Sequence, residues 1–540
     1  MEIRLMKHRI PKILLTFLSG MLTALPIMYP KLFVIGIISF AIPAFIEYTA
    51  EGKACRLRSA YLRGLAFFMG FGLIVFSWFT AMYPLEFTGL SKVAAVGVVC
   101  AGSLGLSLLQ ALFWGLMFLV SRLFDKLFCT GKNPLVYSLV FSCLYVVFEW
   151  MSTKTWAAVP WGRLAVGQSE FLPMVQIASV TGSYGVSFIL VLVGCTLGVC
   201  CSEYRKHRSK LTLRPLIPVA VVLVLNIVFG CVRLMTYEVS EESTKVTVAA
   251  IQGNVSSHDK WTSDTFEETK ENYTKLTHAA VAEGADIVIF PETPVNYNLQ
   301  GSSGYYVKSF YESLAADADC IIVTGAFTKN DDGISENSIV VFDPDDGQTE
   351  DKYVKRHLVP FGEYVPLRDF VSFVFPPLSS ITMLESDLAP GTSPTVFETK
   401  YGKIAPLICF DSIYETLAID SIRAGGELLT VSTNDSWFLD SSGVWEHNRH
   451  AVLRSIECGR YTVRSANTGV SSIISPTGEI MDILPPLEDG YIVSDVYMIE
   501  ENTVYVTIGN VFVILCFAGL VPLVLYSHFM KKKQETENDR

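Results

Sequence analysis

The sequence predicts a two-part membrane protein, in which a bundle of about eight transmembrane helices carries an α/β domain inserted before the last helix. Half of the 540 residues are hydrophobic and only 18% are charged. The mean hydropathy of +0.38 is too high for a soluble chain of this length. Eight apolar runs of roughly 18 residues or more are long enough to cross a bilayer as helices. A polar stretch, residues 237–504, separates the seventh run from the eighth.

The apolar runs are the candidate transmembrane helices. They begin near Ile13, Phe33, Leu65, Val93, Leu135, Val175 and Ile217, and the eighth covers about Val506 to Tyr526. The first run is predicted to be a retained helix rather than a signal peptide, because further runs follow at once and the polar loops offer no clear small-residue cleavage site. The predicted division is a transmembrane domain at 1–236, an extracytoplasmic domain at 237–504, a C-terminal helix at 505–530 and a tail at 531–540.

Basic residues orient the helices, because loops rich in lysine and arginine stay in the cytoplasm. Basic side chains cluster before the first run, in alternate loops such as "YRKHRSKLTLR", and after the last run. The intervening loops, such as "MYPLEFTGLSK", contain few of them. Eight crossings with this alternation place both termini inside and the polar domain outside.

The polar domain is acidic, whereas the rest of the chain is basic. Residues 237–504 carry a net charge of −25 and the remaining residues a net charge of +14. This acidity excludes a nucleic-acid partner, because phosphates would be repelled, and is otherwise typical of a solvated surface. Of the 12 cysteines, Cys320, Cys409 and Cys458 lie in this domain. An odd number leaves at least one thiol unpaired.

Strand-like and helix-like segments alternate through the polar domain, which predicts a layered α/β fold. Buried strands are predicted at "KVTVAAIQGN", "ADIVIFPE", "CIIVTGAF", "KIAPLICF" and "ELLTVST", a hairpin at "NSIVVFDPDDGQTEDKYVKRHLV", and helices at "TFEETKENYTKLTHAAVAEG", 305–317, 413–424 and 445–459. The connection 364–395 is long, and its apolar centre from Val371 to Leu384 predicts a lid or arm that contacts lipid.

Three segments end in a reactive side chain: "VIFPE" in Glu292, "DKYVK" in Lys355 and "APLIC" in Cys409. Catalytic groups in α/β folds gather where strands end. Together these groups could transfer an acyl group through a thioester, with the carboxylate as base, the thiolate as nucleophile, and the ammonium stabilising the oxyanion and lowering the thiol pKa. Taken singly, a buried cysteine usually fills a core, and a glutamate or lysine at a strand end usually lies on the surface.

The sequence around these residues resembles a known family. "FPET", "KRHLVPFGEYVP" and "LICFDSIYE" resemble the three signature segments of the nitrilase superfamily, which implies a Glu-Lys-Cys triad in an αββα sandwich. Multiple helices combined with "IQGNVSSHDKW", "HLVPFGEYVP", "STNDSWF" and a final helix form a narrower pattern. This pattern resembles the apolipoprotein N-acyltransferase family over nearly the whole chain, more weakly in the helices.

The resemblance implies a role for each matching residue. Glu292 would be the general base, Lys355 the oxyanion stabiliser and Cys409 the nucleophile, with Glu363 as a second essential glutamate. Trp261 would lie near the substrate entrance. The residues matched to the surroundings of the nucleophile are Phe410, Asp411, Trp437 and Phe438.

Some of these residues have simpler interpretations. Ordinary packing remains an alternative for Trp261, and structural hydrogen bonding for Glu363. The chain also departs from the family pattern, since Asp411 stands where a glutamate is usual and Leu439 where a glycine is common. The shorter side chain makes the role of Asp411 the least determined of these assignments.

The implied reaction has two steps: Cys409 takes an acyl chain from a phospholipid, and the α-amine of an S-diacylglyceryl-cysteine on an apolipoprotein then attacks the thioester. This would be the last step of lipoprotein maturation, performed by a monomer in the bacterial inner membrane with its catalytic domain facing the periplasm or the outside. We expect no cofactor. We also expect no metal ion, because His447 and His450 share a helix face without an evident third ligand.

Two other functions remain open from the sequence. A membrane-tethered nitrilase-type amidase or hydrolase would need an open water path, and the apolar segment from Val371 to Leu384 argues against one. A transporter or receptor with an inactive nitrilase-like domain would carry intramembrane charges. The apolar runs contain little charge beyond Glu149, which argues against this function as well.

Overall fold

The computed structural model describes residues 12–85, 91–154, 158–255, 263–295, 298–301, 304–374 and 386–538. The chain forms two compact units. The helical unit comprises Met1–Thr80, Val96–Thr236 and Ile508–Arg540, and the α/β unit comprises Ala81–Ala95 and Tyr237–Thr507.

The helical unit is built from α-helices of very different length. They are α1 (Lys12–Met28), α2 (Phe33–Ile38), α3 (Ala41–Tyr48), α4 (Leu57–Val75), α5 (Lys92–Phe128), α6 (Pro134–Ser152), α7 (Leu172–Val175), α8 (Ala178–Thr181), α9 (Ser183–His207) and α10 (Leu216–Thr236), joined at the other end of the chain by α17 (Val511–Asn538).

Seven helical segments in the described part of the chain are long and apolar enough to cross a membrane. They are Pro30–Tyr48, Leu57–Val75, Lys92–Phe128, Pro134–Ser152, Ser183–His207, Lys210–Thr236 and Val511–Phe529. The first predicted span is the 17-residue helix α1, which has the minimum length for a crossing. The protein is therefore a membrane protein with a helical bundle.

Three predicted span boundaries need correction. The span expected from Leu65 begins at Leu57, because α4 includes a first part that carries basic residues and does not read as an apolar run. The span expected from Val175 begins at Ser183, because Gly182 has a φ of +66° and separates α8 from α9. The span expected from Val506 begins at Val511, since Gly509, with a φ of +63°, separates it from a short helix. Glycine readily adopts this conformation and interrupts an apolar run without changing its hydropathy.

The expectation that the helices contain little charge beyond Glu149 is wrong. Glu47 on α3 accepts hydrogen bonds from Arg63 on α4 and from Arg122 on α5, and all three side chains are buried. Arg122 also pairs with Asp125 at 3.1 Å. These charges lie near helix ends. A few charges at the margins of a long apolar run change its mean hydropathy little, so the sequence pattern does not emphasise them.

The α/β unit contains two β-sheets. Its strands are β1 (Lys245–Gln252), β2 (Ile287–Ile289), β3 (Ile321–Lys329), β4 (Ser335–Asp343), β5 (Gly347–Gln348), β6 (Tyr353–Val354), β7 (Phe397–Thr399), β8 (Gly402–Ile408), β9 (Leu428–Thr433), β10 (Thr462–Ala466), β11 (Ser471–Ile474), β12 (Ile480–Leu484) and β13 (Gly490–Tyr497). The first sheet has the order β13-β1-β2-β3-β4-β5 with β6 paired to β4, and the second has the order β12-β11-β10-β9-β8-β7.

The helices of this unit are α11 (Ser263–Ala282), α12 (Gly304–Ala318), α13 (Arg368–Val374), α14 (Glu415–Arg423), α15 (Ser442–Cys458) and α16 (Val504–Ile508). A 3₁₀ turn, Cys409–Ile413, precedes α14, so the observed helix begins two residues later than the predicted helix at 413–424. The predicted apolar lid falls partly on α13, and residues 375–385 lie outside the described part of the chain.

The two sheets pack face to face between layers of helices. Alternate residues of β1 point to opposite faces: Val246 and Val248 join a core shared with β8 and β10 of the other sheet, whereas Ala249 and Ile251 contact α11 and α12. Helices α14 and α15 lie on the outer face of the second sheet. The predicted αββα sandwich is confirmed, and its central parallel strands end at one edge.

Candidate active site

The three reactive residues predicted from the sequence follow three strands. Glu292 lies just beyond β2, Lys355 directly follows β6, and Cys409 directly follows β8. Strands β1, β2 and β3 are parallel to one another, as are β8, β9 and β10, so their carboxyl ends meet at one edge of the sandwich. The fold thus brings together side chains separated by 117 positions in the sequence.

Lys355 is fully buried between two carboxylates. Its Nζ donates to Glu292 Oε1 at 3.0 Å and to Glu363 Oε1 at 2.9 Å. Burial alone would lower the pKa of Lys355, but the charges of Glu292 and Glu363 raise it well above its usual value. The lysine is therefore an ammonium ion, and these two contacts leave one of its three hydrogens for a further acceptor.

Glu292 is held at both carboxylate oxygens. Oε1 also accepts from Asn337 Nδ2 at 2.7 Å, and Oε2 accepts from the main-chain N–H of Asn434 at 3.1 Å. Hydrogen bonds at both ends fix the plane of the carboxylate. Glu292 is therefore oriented as a base would need to be.

Cys409 is partly buried at the end of β8 and interacts electrostatically with both groups. Burial and the Glu292 carboxylate raise the pKa of the Cys409 thiol far above its ordinary value, and the Lys355 ammonium acts in the opposite direction. The expected lowering by lysine is present but is outweighed. At rest the sulfur is a thiol, so the proton must leave as the nucleophile attacks.

Glu363 lies beside the triad rather than on the surface. Its Oε1 accepts from Asn337 Nδ2 at 2.9 Å and from Lys355, and its Oε2 accepts from the main-chain N–H of Val359 at 2.8 Å. One amide and one ammonium therefore bridge the same two carboxylates. This arrangement couples the position of Glu363 to that of Glu292.

Asp411 is fully buried and accepts hydrogen bonds from residues on either side of Lys355. Its carboxylate accepts from Tyr353 Oη at 2.8 Å and from the main-chain N–H groups of His357 at 2.8 Å and Arg356 at 3.4 Å. Burial raises the pKa of Asp411 to about 6, although Lys355 and these hydrogen bonds lower it. Asp411 therefore connects the turn that carries the nucleophile to strand β6 and to the residues that follow Lys355.

The aromatic residues of the predicted site have different surroundings. Phe410 is buried against the ring of Tyr414, with 5.6 Å between ring centroids. Phe438 contacts the ring of His447 edge-on at 6.2 Å, and Trp437 beside it is half-buried. Trp261, predicted near the substrate entrance, lies outside the described residues.

Several residues of the site were missed by the sequence reasoning. Asn337 is the third residue of β4, where "ENSIVV" gives no signal beyond an amide inside a strand. Asp435, although part of the quoted "NDSWF", is buried and accepts from Arg464 and from His447, whose Nδ1 lies 2.8 Å from Asp435 Oδ1. The polar character of these buried residues was the available signal, since a buried polar group must have a partner.

His447 and His450 are structural rather than surface residues, because both are buried on α15. Cys409, Asp435 and His447 place potential ligand atoms within 4.8 Å of one another, in a group that does not include His450. The nitrogens of His447 are, however, directed at Asp435 and at the main-chain oxygen of Cys409. Asp435 is paired with Arg464 as well, so the carboxylate and the imidazole of this group are already engaged by other partners.

Both halves of the chain match family models. Residues 247–500 match the model described as "Carbon-nitrogen hydrolase", and residues 19–196 match the model described as "Apolipoprotein N-acyltransferase N-terminal domain".

Relatives match over nearly the full length. The apolipoprotein N-acyltransferase of Geobacter metallireducens is 30% identical over 512 residues, which cover 94% of this chain and 93% of the relative. That of Shewanella oneidensis is 27% identical over 542 residues, covering 97% and 96%. Among solved structures, Saccharomyces cerevisiae Nit3, a member of branch 10 of the nitrilase superfamily, aligns with 48% of this chain and 93% of its own, with 21% identity and a TM-score of 0.38.

Proposed function

The chain belongs to the apolipoprotein N-acyltransferase family, and on that premise we propose that it transfers a fatty acyl chain from a membrane phospholipid to the N-terminus of apolipoproteins. The acceptor is the α-amine of an S-diacylglyceryl-cysteine. The observation that carries the proposal is the placement of Cys409 beside Glu292 and Lys355 in a chain with membrane-spanning helices.

The first half-reaction acylates Cys409. The Glu292 carboxylate takes the thiol proton while the sulfur attacks the ester carbonyl of the phospholipid, forming a C–S bond and an oxyanion. The remaining hydrogen of Lys355 stabilises that oxyanion. When the ester C–O bond breaks, Glu292 returns its proton to the departing lysophospholipid, leaving a thioester.

The second half-reaction transfers the acyl chain. The neutral α-amine of the acceptor attacks the thioester carbonyl, Glu292 takes a proton from the resulting ammonium, and the C–S bond breaks. The product is an amide, and the sulfur recovers its proton from Glu292. A thioester yields readily to an amine, and burial of the site limits competing hydrolysis.

The remaining site residues position these groups. Glu363 shares Lys355 and Asn337 with the base, which supports its role as a second essential glutamate. Asp411 acts through the main chain after Lys355. Trp437, Phe438 and Phe410 form apolar surface near the nucleophile, and Trp261 is assigned to the substrate entrance on the resemblance alone.

The proposed reaction sets the orientation of the chain. A lipoprotein N-terminus is acylated outside the cytoplasm, so the α/β unit faces the periplasm or the outside of the inner membrane, with both termini cytoplasmic, and the enzyme acts as a monomer. In intact cells, a membrane-impermeant thiol reagent should label D332C, which lies in an exposed turn, and spare H207C at the end of α9. Equal labelling of both variants would overturn this topology.

The decisive experiment is the intact mass of the purified protein after exposure to phosphatidylethanolamine. We expect one fatty acyl adduct, absent in C409A, retained in the buried-cysteine control C458A, and removed when a diacylated lipopeptide is supplied. An adduct that water removes as fast as the lipopeptide does would make the protein a hydrolase. Absence of any adduct on the folded protein would favour a transporter or receptor with an inactive domain.

A further inference from the structure

Cys409 has a backbone conformation that residues other than glycine rarely adopt. Its φ of +47° lies in the left-handed region, at the junction between β8 and the turn Cys409–Ile413. Such a conformation persists only where the surroundings hold it. The carbonyl oxygen of Cys409 accepts from two side chains, Ser412 Oγ at 2.7 Å and His447 Nε2 at 3.1 Å.

The two ring nitrogens of His447 face different groups. Nε2 faces the main-chain carbonyl of Cys409, and Nδ1 faces Asp435 Oδ1 at 2.8 Å. A main-chain carbonyl oxygen can only accept, so Nε2 is the donor in its contact with Cys409, whereas Nδ1 lies near Asp435 and, at 3.2 Å, near Nη2 of Arg464. Ser412 Oγ, 3.1 Å from Nε2, can also accept from it, because its own hydrogen is donated to Cys409.

The histidine is anchored from behind by a buried ion pair. Asp435 accepts from Arg464 and from Thr433 Oγ1 at 2.8 Å, and Arg464 donates through Nε to the carbonyl of Val470 at 3.1 Å. Burial would raise the pKa of Asp435, but Arg464 and His447 lower it to about 2. Asp435 is therefore a carboxylate, and its fixed position sets the ring plane of His447.

We propose that His447 is a positioning residue for the nucleophile: its Nε2–H donates to the main-chain carbonyl of Cys409 and holds the left-handed turn that directs the sulfur at the substrate. Asp435 orients the ring for this task. The catalytic part of this inference rests on the proposed acyl transfer, but the reactivity of the Cys409 thiol can be measured without that reaction.

Two substitutions of His447 distinguish the loss of its hydrogen-bond donor from the loss of its side-chain volume. In H447Q the amide nitrogen occupies the place of Nε2 and can still reach the carbonyl of Cys409. In H447N the amide nitrogen occupies the place of Nδ1 and reaches Asp435 only. H450N provides a matched control, because His450 is an equally buried histidine one turn further along α15.

The full-length variants are compared in two assays: formation of acyl-Cys409 from phosphatidylethanolamine in a single turnover, and alkylation of Cys409 by iodoacetamide, read on the peptide that contains it. H447N should slow acylation about tenfold or more at saturating phospholipid with an unchanged half-saturating concentration, and H447Q should recover the rate to within about threefold of the unsubstituted enzyme. H450N should match the unsubstituted enzyme in both assays.

The inference is overturned if H447N acylates at the full rate, or if H447Q and H447N are equally slow. Either result would mean that the hydrogen bond from position 447 to the carbonyl of Cys409 does not control the rate. Should H447N not fold, S412A carries the test: it removes the other donor to the same carbonyl and must slow both assays, and an unchanged rate overturns the inference. If the unsubstituted enzyme and all the variants form no adduct, the proposed function fails. The alkylation rates, in which H447Q must exceed H447N, still test the positioning role.

Discussion

The two compact units each contain a buried charge cluster, and the clusters differ in their balance of charge. In the helical unit, two carboxylates, Glu47 and Asp125, are joined by ion pairs to two arginines. In the α/β unit, the carboxylates of Glu292 and Glu363 share the single cation of Lys355. The first cluster is neutral and ties helices together, whereas the second keeps an extra negative charge.

The difference teaches how a buried charge becomes reactive. A matched set of charges is stable because each burial penalty is offset by a partner, and nothing is gained by moving a proton. A carboxylate that shares its only cation with a second carboxylate is not matched in this way, and beside a thiol it can serve as the acceptor that a general base must be. The comparison therefore predicts opposite consequences for neutralising one carboxylate in each cluster.

The largest expected effect is on the rate of E292Q. Glutamine keeps the shape of Glu292 but cannot take the thiol proton, so formation of acyl-Cys409 should slow by about 10²- to 10⁴-fold. The measurement is single-turnover acylation followed by mass. E336Q is the control, since Glu336 is a buried glutamate on β4 paired with Lys352, and its rate should be unchanged. Equal rates for E292Q and the unsubstituted enzyme would remove Glu292 from the mechanism.

The second effect is on stability, and here the larger change is expected in the charge cluster of the helical unit. E47Q leaves two buried arginines around a neutral amide and should cost about 3–5 kcal/mol of unfolding free energy. E292Q relieves the extra charge and should leave the thermal midpoint unchanged or higher. Thermal unfolding in detergent compares them, with the exposed E51Q as control. A fall for E292Q as large as that for E47Q would contradict the distinction between the clusters.

The third effect is a pH dependence that depends on Asp411. Burial raises the pKa of Asp411 to about 6 from an ordinary value near 3.8, so between these values the folded state binds more protons than the unfolded state. Stability should therefore fall as pH rises through this window, by at most about 1.4 kcal/mol per pH unit. In D411N this contribution should vanish. If the thermal midpoints of D411N and of the unsubstituted protein change with pH in parallel, the contribution of Asp411 is refuted.

The smallest effect is expected for an exposed pair. Glu398 and Lys403 face each other across β7 and β8 at 3.2 Å, but both side chains are largely solvated. E398Q should change the unfolding free energy by less than about 1 kcal/mol. A larger loss in a chemical unfolding curve would mean that burial is not what separates the two clusters from surface pairs.

Much of the site could be predicted because its residues end strands or belong to recognisable segments. Glu292, Lys355, Glu363 and Cys409 were predicted in this way, and the structure brings all four into contact or electrostatic interaction. Asn337 could not be predicted, and neither could the role of His447 beside the nucleophile, since their partners come from strands and loops distant in sequence. The direction in which Asp411 points was likewise undetermined, because a residue beside the nucleophile can face either side of a turn.

The amino-acid sequence by itself determined the membrane-spanning character, the alternation of strands and helices, and the identity of the reactive groups, since hydropathy, periodicity and short motifs are local properties. Only the tertiary structure decided the charge of Cys409, the sharing of Lys355 by two carboxylates, and the support of the nucleophile by His447. These depend on burial and on distances between segments, which arise when strands of two sheets end at one edge.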